Sequence, residues 1–204
     1  GGDDAPAVVV DGALSACGAD PDLHLLLIGP SEVADEVLGK LAPADRERVR
    51  VRPVPHRVGM SDAPACARRV DATVRAAAAA VAEGSADGMV SAGPSGATVT
   101  AAALALGRLP GVRRPALAAT LPAFDGPVVL LDVGAFLDPN AATLADHAFA
   151  GAAFAQIRHH VAEPRVGLLS VGAEPGKGDR LRRAAEVELA ARVLPPGARY
   201  VGLV

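Results

Sequence analysis

Residues 87–107 read DGMVSAGPSGATVTAAALALG. A short apolar run over 87–93 leads into a glycine-rich turn, and an alanine-rich run follows over 95–107. This order predicts a strand, a turn and a helix, which together form the repeating unit of a parallel α/β sheet. The turn is the most informative part, because Gly93 and Gly96 lie on either side of a proline within it.

The same alternation of strand and helix continues on both sides of this unit. Further strands are predicted at 23–29, 48–55, 115–122, 127–134, 164–172 and 198–204, and further helices at 31–41, 71–84, 140–160 and 179–193. Strands separated by single helices favour a mostly parallel, doubly wound sheet with helices on both faces. We therefore expect an α/β fold and treat residues 1–204 as a single α/β domain.

Composition and charge disfavour several classes of function. The 204 residues carry a net charge of −3, lack tryptophan and contain few aromatic residues. Nucleic-acid binding needs a basic surface, and single strands also need stacking aromatics, so no nucleic-acid partner is expected. Cys17 and Cys66 lie too far apart to indicate a metal site, and we expect both to be reduced thiols. No signal peptide is recognisable, and no apolar run reaches the length of a membrane span, ~20 residues.

The glycine-rich turn can hold an anion at the start of its helix. The first N–H groups of a helix lack partners within it and carry partial positive charge, so phosphate groups bind at such ends. Gly93 and Gly96 let the backbone approach a ligand, and the hydroxyl groups of Ser91 and Ser95 can donate hydrogen bonds. The alternative is an ordinary helix start with Gly93 as the cap and Pro94 in the first turn.

Other turns also place polar residues after predicted strands, where ligands of such folds bind. They are LPAFDGP (121–127), DVGAFLD (132–138) and SVGAEPGKGDR (170–180). Lys177, between two glycines, can reach a phosphate or an oxyanion, or it is a solvated surface residue. Asp132 ends an apolar strand and either caps backbone N–H groups or orients a reacting group. His56 also follows a strand and can act as an acid or a base, or it is a surface residue.

These turns, in this order, resemble one family. The segments that carry the resemblance are GGDDAP (1–6), residues 80–122, GPVVLLDVGAFLD (126–138) and PRVGLLSVGAEPGKGDR (164–180). They are similar to the bacterial phosphate acyltransferase (PlsX) family over most of the chain. That resemblance implies a three-layer α/β/α sandwich like that of the isocitrate and isopropylmalate dehydrogenases. It also implies transfer of a fatty acyl group from acyl carrier protein to inorganic phosphate, giving acyl phosphate for phospholipid synthesis.

The resemblance further implies a setting for the protein. Family members are cytoplasmic homodimers attached peripherally to the membrane, and we expect that attachment to involve the glycerol-3-phosphate acyltransferase. No cofactor and no metal ion are implied. The family pattern suggests that a first strand and a C-terminal part are missing from residues 1–204, and the alanine- and arginine-rich composition resembles that of actinobacterial members.

Site residues are carried over where the family's motifs match. Phosphate binding is expected from Ser91, Gly93, Ser95, Gly96 and Ala97, and catalytic roles from Lys177, Asp132 and Asp71, with His56, Gly176 and Gly178 as secondary candidates. Lys177 would neutralise charge, and the two aspartates would orient the reactants. The acidic carrier protein would be steered by an arginine cluster, either Arg113 and Arg114 or Arg180 and Arg183.

Three positions depart from the family's usual residues, namely Ala72, Pro94 and Phe136. Two alternatives therefore stay open. One is another enzyme of the same fold, such as a phosphate acetyltransferase or a nicotinamide-dependent dehydrogenase, although the metal-binding aspartates that the dehydrogenase needs do not stand out. The other is a diverged homologue that binds partners without turnover.

Overall fold

The computed structural model describes residues 1–108, 112–174 and 177–204. These residues form an α/β structure in two compact units, Gly1–Gly107 and Arg108–Val204. The first unit contains α1 (Ala7–Ala19), β1 (Leu25–Gly29), α2 (Ser31–Lys40), β2 (Val49–Pro53), α3 (Thr73–Ala82) and α4 (Ser95–Ala105). The second contains β3 (Ala118–Ala123), β4 (Gly126–Leu131), α5 (Ala141–His159), β5 (Arg165–Leu168), α6 (Arg180–Ala190) and β6 (Arg199–Leu203). The expectation of a single domain stays a prediction.

The strands pair as three two-stranded sheets among the described residues. The pairs β1–β2 and β5–β6 are parallel, as the alternating pattern predicts, and the second of these pairs shifts register between Val166 and Gly167. The pair β3–β4 is instead an antiparallel hairpin. The predicted α/β class with mostly parallel strands is therefore confirmed.

The first unit is packed around two groups of buried side chains. Valines of α1, α2 and β2 surround Cys17 in one of them. The other joins α3 and α4 to a short 3₁₀ helix, Pro64–Arg68, through small residues: Val58, Ala67, Ala72, Ala78, Ala97 and Ala101. This second group, called the alanine cluster below, lies directly beneath the start of α4. It is therefore the part of the core that positions the glycine-rich turn.

The second unit is built around α5. Its core joins this helix to β5 and α6 through Ala145, Leu168, Ala185 and Leu189. The Asn140 side chain caps α5 by accepting a hydrogen bond from the Thr143 N–H at 2.8 Å. No helix of the described ranges combines the length and the apolar character that crossing a bilayer requires.

One predicted element is absent from the described part of the chain, and one observed element was not predicted. Residues 87–93 do not form a strand, since none of the described strands pairs with them and Val90 is fully exposed. A strand needs a neighbour for its backbone N–H and C=O groups, and apolar sequence alone does not supply one. The sequence pattern also misses α1, where Val8–Val10 favour a strand. Burial of Val10 and Cys17 against neighbouring elements outweighs that preference.

The turn LPAFDGP lies between two strands, as predicted. It connects β3 to β4 within the antiparallel hairpin, in which Ala123 pairs with Gly126. Gly126 has a φ of 115°, a conformation that favours glycine and permits the tight reversal. The predicted strands on both sides are confirmed, and the new finding is that they pair antiparallel.

Candidate active site

The glycine-rich turn ends at the N-terminus of α4. Pro94 is the N-cap residue, with φ −59° and ψ 130°, and the helix begins at Ser95. The alternative with Gly93 as the cap and Pro94 in the first turn is therefore wrong by one position, because the ψ angle of Pro94 is extended and not helical. No described side chain caps the helix, so the N–H groups of Ser95, Gly96 and Ala97 point out of its first turn without a capping partner. This is the geometry expected of an anion-binding helix start.

Ser91 organises the turn from within. Its Oγ accepts a hydrogen bond from the Gly93 N–H at 3.2 Å and one from the Thr98 hydroxyl at 3.3 Å. The same Thr98 hydroxyl also lies 3.1 Å from the carbonyl oxygen of Pro94. These bonds join the segment before the helix to its first turn, so Ser91 holds the loop in shape as well as carrying a hydroxyl.

Close packing requires a glycine at position 96, and Gly93 contacts the chain at Gly1. A Cβ atom on Gly96 would lie 2.9 Å from the Pro64 Cγ, and the Cα of Gly93 lies against Gly1. Ala97 is buried in the alanine cluster. Its contribution to a ligand is therefore limited to its backbone N–H.

Asp71 and His56, which the sequence singles out separately, are in direct contact. The Nδ1 of His56 lies 2.8 Å from the Oδ2 of Asp71. Arg69 grips the same carboxylate, with its Nε 3.0 Å from Oδ1 and one terminal nitrogen 3.1 Å from Oδ2. The Arg69 guanidinium, and to a lesser extent His56, hold the pKa of Asp71 below its usual value against the opposing effect of desolvation. Asp71 is therefore ionised and fixed in position at neutral pH.

Asp132 holds the loop that follows β4. Partial burial opposes its ionisation, but four backbone N–H groups donate to the carboxylate and keep its pKa below the ordinary value. The donors, at 2.9 to 3.2 Å, belong to Leu117, Gly134, Ala135 and Phe136. Of the two roles weighed for Asp132, the structure displays the capping of backbone N–H groups.

Phe136, one of the three departures, packs beside a basic residue. The guanidinium carbon of Arg114 lies 5.0 Å from the centre of the Phe136 ring, within the range of a cation–π contact. The backbone N–H of Phe136 donates to Asp132. The aromatic ring therefore attaches Arg114 to the loop that Asp132 organises.

Lys177 lies on the loop that enters α6, as predicted, and its side chain is exposed. Its N–H donates to the Glu174 carbonyl at 3.0 Å. Gly178 follows with a φ of 83°, which favours glycine. Asp179 then caps α6 by accepting a hydrogen bond from the Arg182 N–H at 2.8 Å. Gly176, the remaining secondary candidate, lies outside the described residues.

Among the predicted site residues, the structure brings His56 and Asp71 into direct contact. The residues of the turn, His56 and Asp71 belong to the first unit, whereas Asp132, Lys177 and Gly178 belong to the second. Sequence reasoning missed Arg69, although a basic residue two positions before Asp71 was a usable signal. Asp146 and His147, which the sequence does not single out, are both buried. No three His, Cys, Asp or Glu side chains are grouped for a metal ion within the described ranges.

The fold and these turns define an α/β protein whose glycine-rich loops lead into helix N-termini. The family model described as "Fatty acid synthesis protein" matches residues 1–203, and the chain belongs to this family.

Named relatives agree with the family. A phosphate acyltransferase of Thermobifida fusca (strain YX) is 42% identical over 194 residues, covering 92% of this chain and 52% of that protein. A phosphate acyltransferase of Anaeromyxobacter sp. (strain K) is 41% identical over 191 residues, covering 93% and 52%. One from Salinibacter ruber is 37% identical over 188 residues, covering 91% and 56%. The resemblance to phosphate acyltransferases is confirmed, and the chain spans about half the length of these curated relatives.

Proposed function

We propose that this chain belongs to an enzyme that transfers a fatty acyl group from acyl carrier protein to inorganic phosphate. The acyl phosphate would serve phospholipid synthesis. The observation that carries the proposal is the family match over residues 1–203, together with relatives named phosphate acyltransferase. We also propose the finer fold that the family implies, a three-layer α/β/α sandwich related to the isocitrate and isopropylmalate dehydrogenases, and an actinobacterial source.

The reaction joins a phosphate oxygen to the carbonyl carbon of a thioester and expels the thiolate of the carrier's pantetheine group. It needs a bound phosphate, donors for the developing oxyanion and alignment of the two substrates. The start of α4 supports phosphate binding, because three backbone N–H groups, from Ser95 to Ala97, have no capping side chain and the dipole favours an anion there.

Lys177 is proposed to neutralise charge that develops in the transition state. Its exposed position on a loop between strand β5 and helix α6 leaves the long side chain able to reach a ligand. Asp132 is proposed to act indirectly, by holding the loop 132–136 in shape through its four backbone hydrogen bonds.

The carrier protein is acidic, and we propose Arg113 and Arg114 as its contact. Both are exposed. In the alternative cluster, Arg183 donates to the Gly178 carbonyl at 2.6 Å, which restrains that side chain near its own loop. We further propose that the protein is a cytoplasmic homodimer, associated peripherally with the membrane through the glycerol-3-phosphate acyltransferase.

The test is acyl-phosphate formation by the complete protein from acyl carrier protein thioester and inorganic phosphate, with the product trapped by hydroxylamine. Lys177→Ala is expected to lower kcat about 100-fold, the loss typical of removing one charge-stabilising donor. The chain's other lysine supplies the matched control, because Lys40 is also exposed but pairs with Asp11 and Glu36. Lys40→Ala should leave turnover unchanged.

Three outcomes would contradict parts of this proposal. Acyl transfer from acetyl-CoA in place of the carrier thioester would indicate a phosphate acetyltransferase. Absence of turnover with either donor would indicate a binding homologue. Equal turnover in Lys177→Ala and Lys40→Ala would remove Lys177 from the mechanism.

A further inference from the structure

We propose that His56 is a catalytic residue that relays a proton from phosphate to the departing sulfur, and that Asp71 and Arg69 position it. This inference rests on the proposed function. It assigns to one residue the proton transfer that the acyl transfer requires.

The backbone around His56 is held on both sides. The His56 N–H donates to the Asp71 carbonyl at 3.2 Å, and the Thr73 N–H donates to the His56 carbonyl at 2.8 Å. Together these bonds form a parallel bridge between His56 and Ala72, and Ala72 is fully buried. The imidazole is therefore carried by a fixed segment of backbone, although the ring itself is about half exposed, with a relative accessibility of 51%.

The contact with Asp71 determines which nitrogen of the neutral His56 ring carries the proton. Because Nδ1 lies 2.8 Å from the carboxylate, this nitrogen carries a proton and donates it to Oδ2. In the neutral ring the lone pair then belongs to Nε2, which is the arrangement of a general base oriented by a carboxylate.

Arg69 fixes the carboxylate and also reaches the imidazole. Its Nε and one terminal nitrogen bind Asp71. The same terminal nitrogen lies 3.4 Å from Nδ1 and 3.3 Å from Nε2, within hydrogen-bonding distance of the Nε2 lone pair. Arg69 therefore positions His56 both through the carboxylate and directly, and a bound phosphate would replace it at Nε2.

The loop that follows His56 packs against the glycine-rich turn. A Cβ built on Gly1 would lie 2.8 Å from the Gly93 Cα and 4.0 Å from the Val58 carbonyl oxygen, so Gly1 is in contact with both segments. Farther along the same loop, Pro64 packs on Gly96. Val58 also shares the alanine cluster with Ala97, the third residue of α4. The segment that carries the imidazole and the glycine-rich turn therefore pack against the same group of buried residues, the alanine cluster.

The proposed step transfers one acyl group and one proton. An oxygen of hydrogen phosphate forms a bond to the thioester carbonyl carbon, the carbon–sulfur bond breaks, and its electron pair leaves with the sulfur. The proton of hydrogen phosphate passes to the Nε2 of His56 and from there to the sulfur. The products are the acyl phosphate and the thiol, and His56 returns to its neutral form.

The experiment compares His56→Gln with His24→Gln in the complete protein. His24 is an exposed histidine of the same unit with no role in the proposed site. We expect His56→Gln to lower kcat about 100-fold or more, the usual contribution of a general acid–base group, with the KM for phosphate little changed. A thioester of a more acidic thiol should restore much of the loss, because that thiolate departs without a proton.

Asp71→Asn tests the positioning role separately. Without the carboxylate the ring loses the partner that fixes Nδ1 as its donor, so kcat should fall while the KM for phosphate stays unchanged, and Asp71→Glu should restore part of the loss. This comparison also serves if His56→Gln fails to fold, which circular dichroism would reveal. An unchanged kcat in Asp71→Asn, or no recovery in Asp71→Glu, would overturn the role of Asp71.

The two proposals fail in different ways. If the unmodified protein forms no acyl phosphate, the proposed function is wrong. If it forms acyl phosphate and His56→Gln matches His24→Gln, only the inference about His56 is wrong. A loss in His56→Gln that the acidic thiol does not reduce would also overturn the proton relay.

Discussion

His147 lies inside the second unit with 4% of its surface exposed, and neither ring nitrogen has a hydrogen-bond partner among the described residues. Burial lowers the pKa of this histidine, and the carboxylates of Asp132 and Asp146 only partly oppose the effect. The unfolded chain therefore takes up a proton at higher pH than the folded chain does. Stability should be lost as the pH falls below ~6.5, the ordinary pKa of histidine.

We expect His147→Leu to remove this acid sensitivity. The substitution also removes two buried nitrogens without partners, so the free energy of unfolding at pH 7.5 should rise by about 1 kcal/mol. Urea unfolding at several pH values between 5 and 7.5 measures both effects. A wild-type protein and a variant that lose equal stability over that interval would show that His147 does not titrate on unfolding.

Helices α5 and α6 are tied together by an ion pair between Asp146 and Arg192, just beyond the end of α6. The carboxylate of Asp146 is buried, and the Arg192 guanidinium also reaches the Ala142 carbonyl at 3.5 Å. A buried charge that loses its partner is costly, because the remaining group has neither water nor a counter-ion. The contact therefore fixes how the end of α6 lies against α5.

Arg192→Ala leaves the buried Asp146 carboxylate without its counter-ion and should lower the free energy of unfolding by about 3 kcal/mol, the lower end of the range for breaking a buried pair. Arg180→Ala is the matched control, since Arg180 is an exposed arginine at the start of α6. Denaturant unfolding of the two variants provides the measurement. If both variants are equally stable, the pair with Arg192 contributes nothing.

Across the whole molecule, buried positions are occupied mainly by alanine and valine, and the chain has no tryptophan. Small side chains allow helices to approach closely, as where Ala97 and Ala101 of α4 join the alanine cluster. Such a core has little room for added volume. Overpacking is therefore expected to be the more damaging kind of substitution here.

Ala101→Leu tests this property of the core. Three added carbon atoms at a fully buried position should destabilise the protein by about 1–3 kcal/mol. Leu104→Ala, on the exposed face of the same helix, should change stability by less than about 0.5 kcal/mol. Thermal unfolding of both variants makes the comparison, and a neutral Ala101→Leu would show that the cluster contains unfilled space.

Much of the fold was predictable from local patterns. The helices α4, α5 and α6 and the strands β1 and β2 lie within the predicted ranges, because each has the apolar spacing of its element and a recognisable stop. The helix α1 was not predictable, since its valines favour a strand and only their packing against α2 and β2 makes a helix. The antiparallel hairpin likewise depends on which strands meet, and apolar runs do not specify their partners.

In the candidate site too, some features follow from short-range sequence and others depend on contacts between distant segments. The glycine-rich turn and the position of Lys177 before a helix follow from short-range sequence, in which glycine, proline and polar residues act on their immediate neighbours. The contact between His56 and Asp71 joins residues on two segments and needs the bridge between His56 and Ala72. The burial of Asp146 and His147 was decided in the same way.

By itself, the sequence determined the α/β alternation, the turns and the family, because these depend on residue types at short spacing. Only the tertiary structure decided that Pro94 takes the N-cap position of α4, that Asp132 binds four backbone N–H groups, and that Asp71 contacts His56. Each of these depends on distances and angles between groups, which are set when backbone hydrogen bonding and apolar burial are satisfied together.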